Sequence, residues 1–237
     1  MTYLELCREL QTLAGGSGQA IVSVTNQSGE VARFISFVRR AWEEIQIERT
    51  NWAFMWQEFS LPLAAGNDSY ALNPNGETQP ALLAPGPMQY TRANGQRGAI
   101  QVLHHQLLVD RLAGVTPDAG LPNSMALAPD GKIKFDRPLS EPITLIGRYY
   151  RQPQSLKLDA DVPMLPTRYQ MVIVYRALKK YADFEEAPYL RSVADANEMP
   201  WHHAMVREQL PQIVVGATPL EGSGGGYGGF GLGFGNL

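Results

Sequence analysis

Apolar positions recur at two different periods along this chain, and the two periods divide it into helical ends and a β-rich middle. Near the start, Tyr3, Leu6, Cys7, Leu10 and Leu13 stand three to four residues apart. That spacing lines one face of a helix and predicts one over residues 2–14. Gly15-Gly16-Ser17-Gly18 stops it. Residues 21–24 form a short apolar piece whose pattern does not decide its type. A second stripe, Val31, Phe34, Ile35, Val38, Trp42 and Ile45, predicts a helix through about Glu48. Ser28 suits its N-cap, and Glu30 favours the positive helix start. The opposite face carries Arg39–Glu43 and Arg40–Glu44 pairs at i,i+4, worth about 0.2–0.5 kcal/mol each.

After Asn51 the period shortens. Phe54, Trp56, Glu58 and Ser60 alternate with Met55, Gln57, Phe59 and Leu61, as in a strand. Residues 62–67 turn the chain, and 69–72 are predicted to pair back as a hairpin. Residues 73–87 are dense in Pro, Gly and Asn and read as a loop. Strands are predicted over 88–91 and 99–103 around the Asn94-Gly95 turn, then a short helix over 107–112 and a loop over 114–122. Residues 124–128 and 132–135 flank Pro129-Asp130-Gly131, a tight-turn sequence. Pro142 opens the clearest strand, Ile143-Thr144-Leu145-Ile146-Gly147-Arg148-Tyr149-Tyr150.

A linker stiffened by Pro153, Pro163 and Pro166 follows. Thr167 stands three residues before Gln170, a capping-box spacing. Tyr169, Val172, Ile173, Arg176, Ala177, Lys180 and Tyr181 then form a helical stripe that Pro188 ends. A last helix is predicted from Tyr189 or Ser192 to about Leu210, with a break at Pro200. Beyond Pro211 the composition changes, and residues 222–235 read GSGGGYGGFGLGFG. So much glycine costs too much entropy to order into a core of its own. No internal repeat is visible. The predicted fold is α+β: an N-terminal and a C-terminal helix pair form a helical bundle, with an antiparallel β-rich middle insertion and an extended Gly-rich C-terminal arm. The divisions fall at 1–50, 51–151, 152–213 and 214–237.

Composition narrows the chemistry. A net charge of −3 over 237 residues argues for neither a nucleic-acid surface nor a membrane-binding patch. The single Cys7 excludes an internal disulfide framework. No apolar run approaches the roughly 20 residues that span a bilayer. MTYLELCREL carries acids and polar residues where a signal peptide is continuously apolar, so the expectation is a protein used without export. The G-x-G-x-x-G at Gly224, Gly226 and Gly229 has neither the strand before it nor the helix after it that a dinucleotide site needs. His104-His105 and His202-His203 are adjacent pairs whose members point apart, so neither is a ready chelate. Asp159 and Asp161 lack the glycine and the bidentate Glu of a calcium loop, and a solvated or subunit-bridging role is expected. Glu185 and Glu186 oppose the dipole at a helix end and need neighbours or packing. Cys7 lies on a helix stripe and reads as core. Trp52, Phe54, Trp56 and Phe59 offer either a stacking platform or, the stronger reading, a core strand against the preceding helix. No catalytic, cofactor or metal residue is assigned, and an enzyme is not expected. In the tail, Tyr227, Phe230, Leu232 and Phe234 recur every two or three residues, unlike a plain linker, and are the candidate protein-interface residues.

Four stretches carry a family resemblance: MTYLELCREL; GEVARFISFVRRAWEEIQ; NWAFMWQEFSLPL; and LAPDGKIKFDRPLSEPITLIGRYYRQPQSLKLDADVPMLPTRYQMVIVYRALKKYADFEEAP. Together they resemble the head-to-tail adaptor (connector) proteins of tailed bacteriophages, over the chain to about residue 213. The most specific block runs from Tyr149-Tyr150-Arg151 through Pro163 and Leu165-Pro166-Thr167-Arg168-Tyr169 to Tyr175-Arg176-Ala177-Leu178. The Gly-rich end departs from the pattern. The resemblance implies a structural virion protein, assembled in the host cytoplasm, that forms a ring, usually of twelve copies, under the portal. It implies itself, the portal and a tail or nozzle protein as partners, with genome DNA passing through the channel without specific binding, and no membrane. It brings no catalytic residues and no cofactor. Two competing expectations are a tail-associated glycan- or receptor-binding module using the aromatic strand around Trp56, and a metal-dependent hydrolase using the histidine pairs.

Overall fold

The computed structural model describes residues 1–16, 19–49, 51–72, 82–84 and 86–210. Its helices are α1 (Tyr3–Leu13), α2 (Gly29–Glu48), α3 (His105–Leu112), α4 (Met171–Phe184) and α5 (Pro188–Gln209). Its strands are β1 (Trp56–Leu63), β2 (Ser69–Ala71), β3 (Leu82–Leu83), β4 (Met88–Arg92), β5 (Arg97–Val102), β6 (Ser124–Leu127), β7 (Lys132–Phe135) and β8 (Ile143–Tyr150).

The helical stripes meet in one core. Helix α4 packs against α1, α2 and α5, and Leu6, Phe34, Val38, Trp42, Trp52 and Ile173 are buried among them. Burying each such side chain contributes roughly 1.5–3 kcal/mol. Helix α1 opens on a capping box. The Thr2 hydroxyl accepts from the Glu5 N–H at 3.2 Å, and the Glu5 carboxylate accepts from the Thr2 N–H at 2.8 Å. Ser28 stands at the N-cap of α2, but its side chain makes no capping bond.

The predicted box at Thr167 and Gln170 does not form. Thr167–Tyr169 is a 3-10 turn, and α4 starts at Met171 without a side-chain cap. The Gln170 amide is engaged elsewhere: it donates to the Leu165 carbonyl at 3.1 Å and accepts from the Met1 ammonium at 2.5 Å. Helix α5 starts at Pro188, whose missing N–H is harmless in a first turn, and it continues through Pro200. The Pro200 ring faces solvent, while Glu198 and Met205 are held in the interior on either side of it. Tertiary anchorage there outweighs the lost backbone hydrogen bond. Glu185 and Glu186 are exposed to water rather than packed, and Glu186 takes φ of 52° in the turn into α5.

The middle of the chain forms a curled sheet in the order β1-β8-β4-β5-β6-β7-β2, with β3 also on β8. Strands β1 and β8 pair along their full length, Trp56 opposite Tyr150 through Leu63 opposite Ile143. The sheet is mixed rather than purely antiparallel, because β5 and β6 run parallel. The chain between them crosses over through α3, which returns it to the same end of the sheet. Residues 69–71 pair with β7 rather than back on β1. The Tyr70 ring packs edge-on against Phe135 with centroids 5.8 Å apart, while β8 occupies one side of β1. Part of the predicted loop 73–87 is strand β3; residues 73–81 and 85 lie outside the described residues.

Phe59, Leu63, Ile100, Met125, Ile133, Phe135, Leu145 and Tyr149 fill the inside of the curl. Gly147 leaves room there for Met88 and Phe59. A Cβ on it would lie 2.5 Å from Met88 Sδ and 3.0 Å from Phe59 Cε1.

Candidate functional site

Charged side chains lock the last three long helices together. Arg176 of α4 reaches Glu48 of α2 at 2.8 Å and Glu198 of α5 at 2.9 Å. Lys179 meets Glu198 at 2.7 Å and Asp195 at 2.6 Å, and Lys180 meets Glu44 at 2.6 Å. His202 Nε2 lies 3.0 Å from Glu48. Only 4% of the Glu198 side chain is exposed, so this carboxylate is tolerable because two cations face it. Burial alone would raise the Glu48 carboxyl. The Arg176 hydrogen bond and charge, with His202 behind them, outweigh burial and hold it below its ordinary value. Burial would likewise lower Arg176 and Lys179, yet their carboxylate partners push both upward. Each charge of the network faces at least one counter-charge, so the network reads as a clamp, not as a reaction centre.

The residues singled out for chemistry are used structurally. Cys7 is fully buried, and burial pushes its thiol up to about 12, which removes it as a nucleophile near neutral pH. Trp52, Phe54 and Phe59 are buried, the first two among the helices and the last inside the sheet. Trp52 Nε1 donates to the Ile45 carbonyl at 2.8 Å, and its ring stacks on Phe54 at 5.5 Å. The predicted strand at Phe54 and Met55 is a 3-10 turn, Ala53–Met55, that carries the chain from α2 into β1. Trp56 packs edge-on against Tyr150. Trp52, Phe54, Trp56 and Phe59 therefore form no open row of ring faces for a sugar.

His104 caps α3, its Nδ1 accepting from the Gln106 N–H at 3.4 Å, while His202 serves the clamp. Among the described residues, no three His, Cys, Asp or Glu side chains are grouped to hold a metal. Asp159 and Asp161 are half-exposed, and their carboxylates are hydrogen-bonded within the chain. Asp159 accepts from the Val24 N–H at 2.6 Å and Ser23 Oγ at 3.2 Å. Asp161 accepts from the Lys157 and Leu158 N–H groups at 2.6 and 2.8 Å. Both also offer their carbonyls to the start of α1, and so fasten the linker to the N-terminus. Tyr227, Phe230, Leu232 and Phe234 lie outside the described residues.

A family model described as SU10 adaptor protein matches residues 1–220. The chain belongs to this family. These are phage head-to-tail adaptors, so the chain is a structural protein of the bacteriophage virion, of a family that is generally non-enzymatic. Membership implies oligomerisation and contact with portal and tail components. A search among curated proteins finds no match.

For an SU10 adaptor the functional site is a set of contact surfaces, and the apolar groups the fold leaves outside are the place to look. Among the described residues, no helix is long and apolar enough to cross a membrane. Tyr189 and Met199 of α5 are 77% and 58% exposed, and Phe184 at the end of α4 is half-exposed under the Arg33 guanidinium. At the seam between helices and sheet, Gln46, Ile47, Met55, Leu82, Tyr150, Arg151 and Pro153 line a groove of about 380 Å³. Sequence reasoning did not find this groove. Its walls come from four distant stretches, and no spacing rule connects them.

Proposed function

We propose that this chain forms a closed ring beneath the portal, extends the DNA channel and joins the capsid to the tail. The observation that carries the reading is the family match over residues 1–220. The exposed apolar groups on α4, α5 and the seam supply surfaces that a ring of copies would cover. The net charge of −3 suits a channel through which DNA slides, because a strongly basic wall would grip phosphates. Twelve copies follow from the adaptor resemblance.

In this reading the helices of residues 1–50 and 152–213 act as one bundle, residues 51–151 are its β-rich insertion, and residues 214–237 are an arm. Tyr227, Phe230, Leu232 and Phe234 are the arm's contact residues, and the genome passes without specific binding. Assembly takes place in the host cytoplasm.

Sedimentation velocity of the full chain, alone and mixed with purified portal, tests the proposal. A ring-sized species that joins the portal is expected. A chain that stays monomeric in both samples and is absent from virions overturns it. Truncation at Gly222 is expected to leave the Tm of the single subunit unchanged and to weaken the assembly.

A further inference from the structure

We propose that residues 230–234 of one copy dock in the seam groove of the adjacent copy. This rests on the ring reading above and names the two surfaces that meet.

The groove asks for an apolar guest. Ile47 and Leu82 stand 68% and 50% exposed on its walls, with Met55, Tyr150 and Pro153 below and beside them. Its polar members are partly engaged within the chain, and Arg151 Nε is buried without a partner. Arg151 donates to the Phe54 carbonyl at 3.0 Å. The Gln46 amide exchanges two hydrogen bonds with the Gln154 backbone, at 2.6 and 2.9 Å. A charged or hydrogen-bonding ligand would find little to pair with there.

The sequence holds a segment of matching chemistry. Phe230-Gly231-Leu232-Gly233-Phe234 alternates large apolar residues with glycine. In an extended conformation all three side chains stand on one face, and the other face is bare backbone. Residues 222–237 carry no charged side chain, so none must be desolvated on docking.

Position and reach agree. The last turn of α5 is tied to the start of α4, with Glu208 accepting from Tyr169 Oη at 2.6 Å. Helix α2 runs antiparallel to α4, as the Lys180–Glu44 and Arg176–Glu48 pairs show. The end of α5 therefore lies at the end of the helical module where α2 finishes and the groove opens. From Leu210 to Phe230 the chain reaches at most about 65 Å at roughly 3.3 Å per residue. A domain of this size has a radius of gyration of about 17 Å, so a neighbour is within range. In a closed ring each copy gives one arm and receives one, and the tether keeps the guest locally concentrated.

Cysteine trapping between full-length copies tests this. Copies carrying Leu82→Cys are mixed with copies carrying Leu232→Cys and mildly oxidised; Ile47→Cys with Phe230→Cys is the second pair. Val115→Cys, on an exposed residue of the loop after α3, is the control. The native Cys7 is buried. Disulfide-linked dimers from both groove pairs and none from the control are expected, with loss of the Leu82–Leu232 product when Phe230→Ser and Phe234→Ser are added to the arm. No groove-specific product, or a disulfide that forms only within a doubly substituted single chain, overturns the proposal. Sedimentation of the same samples separates the two readings. Rings without the cross-link reject the docking and leave the ring standing. Cross-linked chains that never exceed a dimer support the docking and reject the ring.

Discussion

The helical module and the sheet module solve the same packing problem with different fasteners. Inside the sheet the filling is apolar, and backbone ladders set the register, above all the eight-residue pairing of β1 with β8. The sheet's charge pairs lie outside that filling: Arg148–Glu58 is at the rim, with side chains 56% and 74% exposed, and Arg92–Glu141 is partly buried. The helices also share an apolar core, but α5 contributes only Ala194 and Met205 to its fully buried part. What fixes α5 is the clamp around Glu198. Burial energy depends little on orientation, whereas an ion pair demands one placement. The sheet is therefore held by area and register, and α5 by a few specific charges.

The sharpest way to break this comparison is to empty each core in turn. Trp42→Ala among the helices and Phe135→Ala in the sheet should each cost about 3–5 kcal/mol. Because β1 and β8 grow directly out of the helical module, and Trp56 packs on Tyr150 at the crossing, both variants should lower one common thermal transition. Two resolved transitions, each answering to one variant, would show that the modules melt separately.

Next in size is the clamp. Glu198→Ala leaves Lys179 with Asp195 and Arg176 with Glu48 but strands positive charge near the interior. The expected loss is about 3 kcal/mol in denaturant titration, the low end for breaking a buried pair, because both cations keep a second partner. Glu58→Ala at the sheet rim should change stability by less than about 1 kcal/mol. Equal effects from the two would remove the distinction drawn between the modules. Within the sheet, Gly147→Ala drives a methyl into Met88 and Phe59 and should cost about 1–3 kcal/mol. Pairing it with Met88→Ala, which vacates the space, should recover part of the loss attributable to the clash.

Features carried by local period were legible in the sequence; features decided at a distance were not. The stripes of α1, α2 and α4 and the β-branched run of β8 follow from side-chain spacing alone. The capping box at Thr2 and Glu5 was equally legible from its T-x-x-E spacing, yet it was the box at Thr167 and Gln170 that spacing singled out. Spacing cannot report that Gln170 is already spent on Met1 and Leu165. Pro200 reads as a break because a local rule ignores the anchors at Glu198 and Met205. The partner of β2 and the parallel β5–β6 pair depend on which edges remain open after long-range pairing. Of the contact surface, the apolar residues of the tail could be read directly. The groove could not, since Ile47, Leu82 and Tyr150 meet only in the fold.

The smallest expected effect tests whether the clamp is electrostatic in the way the comparison requires. Glu48 is held below its ordinary value in the folded chain by Arg176 and His202, against the opposing pull of burial. A carboxyl with a lower folded than unfolded pKa stabilises fully above the unfolded value, about 4.3 for Glu. That contribution is lost as pH falls from there through the folded value. Stability of the native chain should therefore decline on acidification below about pH 4–5. Glu48→Gln should be less stable near neutrality and should show a shallower decline across the same window, as read from urea midpoints at stepped pH. Sheet-rim Glu58→Gln should leave the profile unchanged. If Glu48→Gln follows the native curve at a constant offset, Glu48 acts through hydrogen bonding and shape rather than charge, and α5 is held by packing after all.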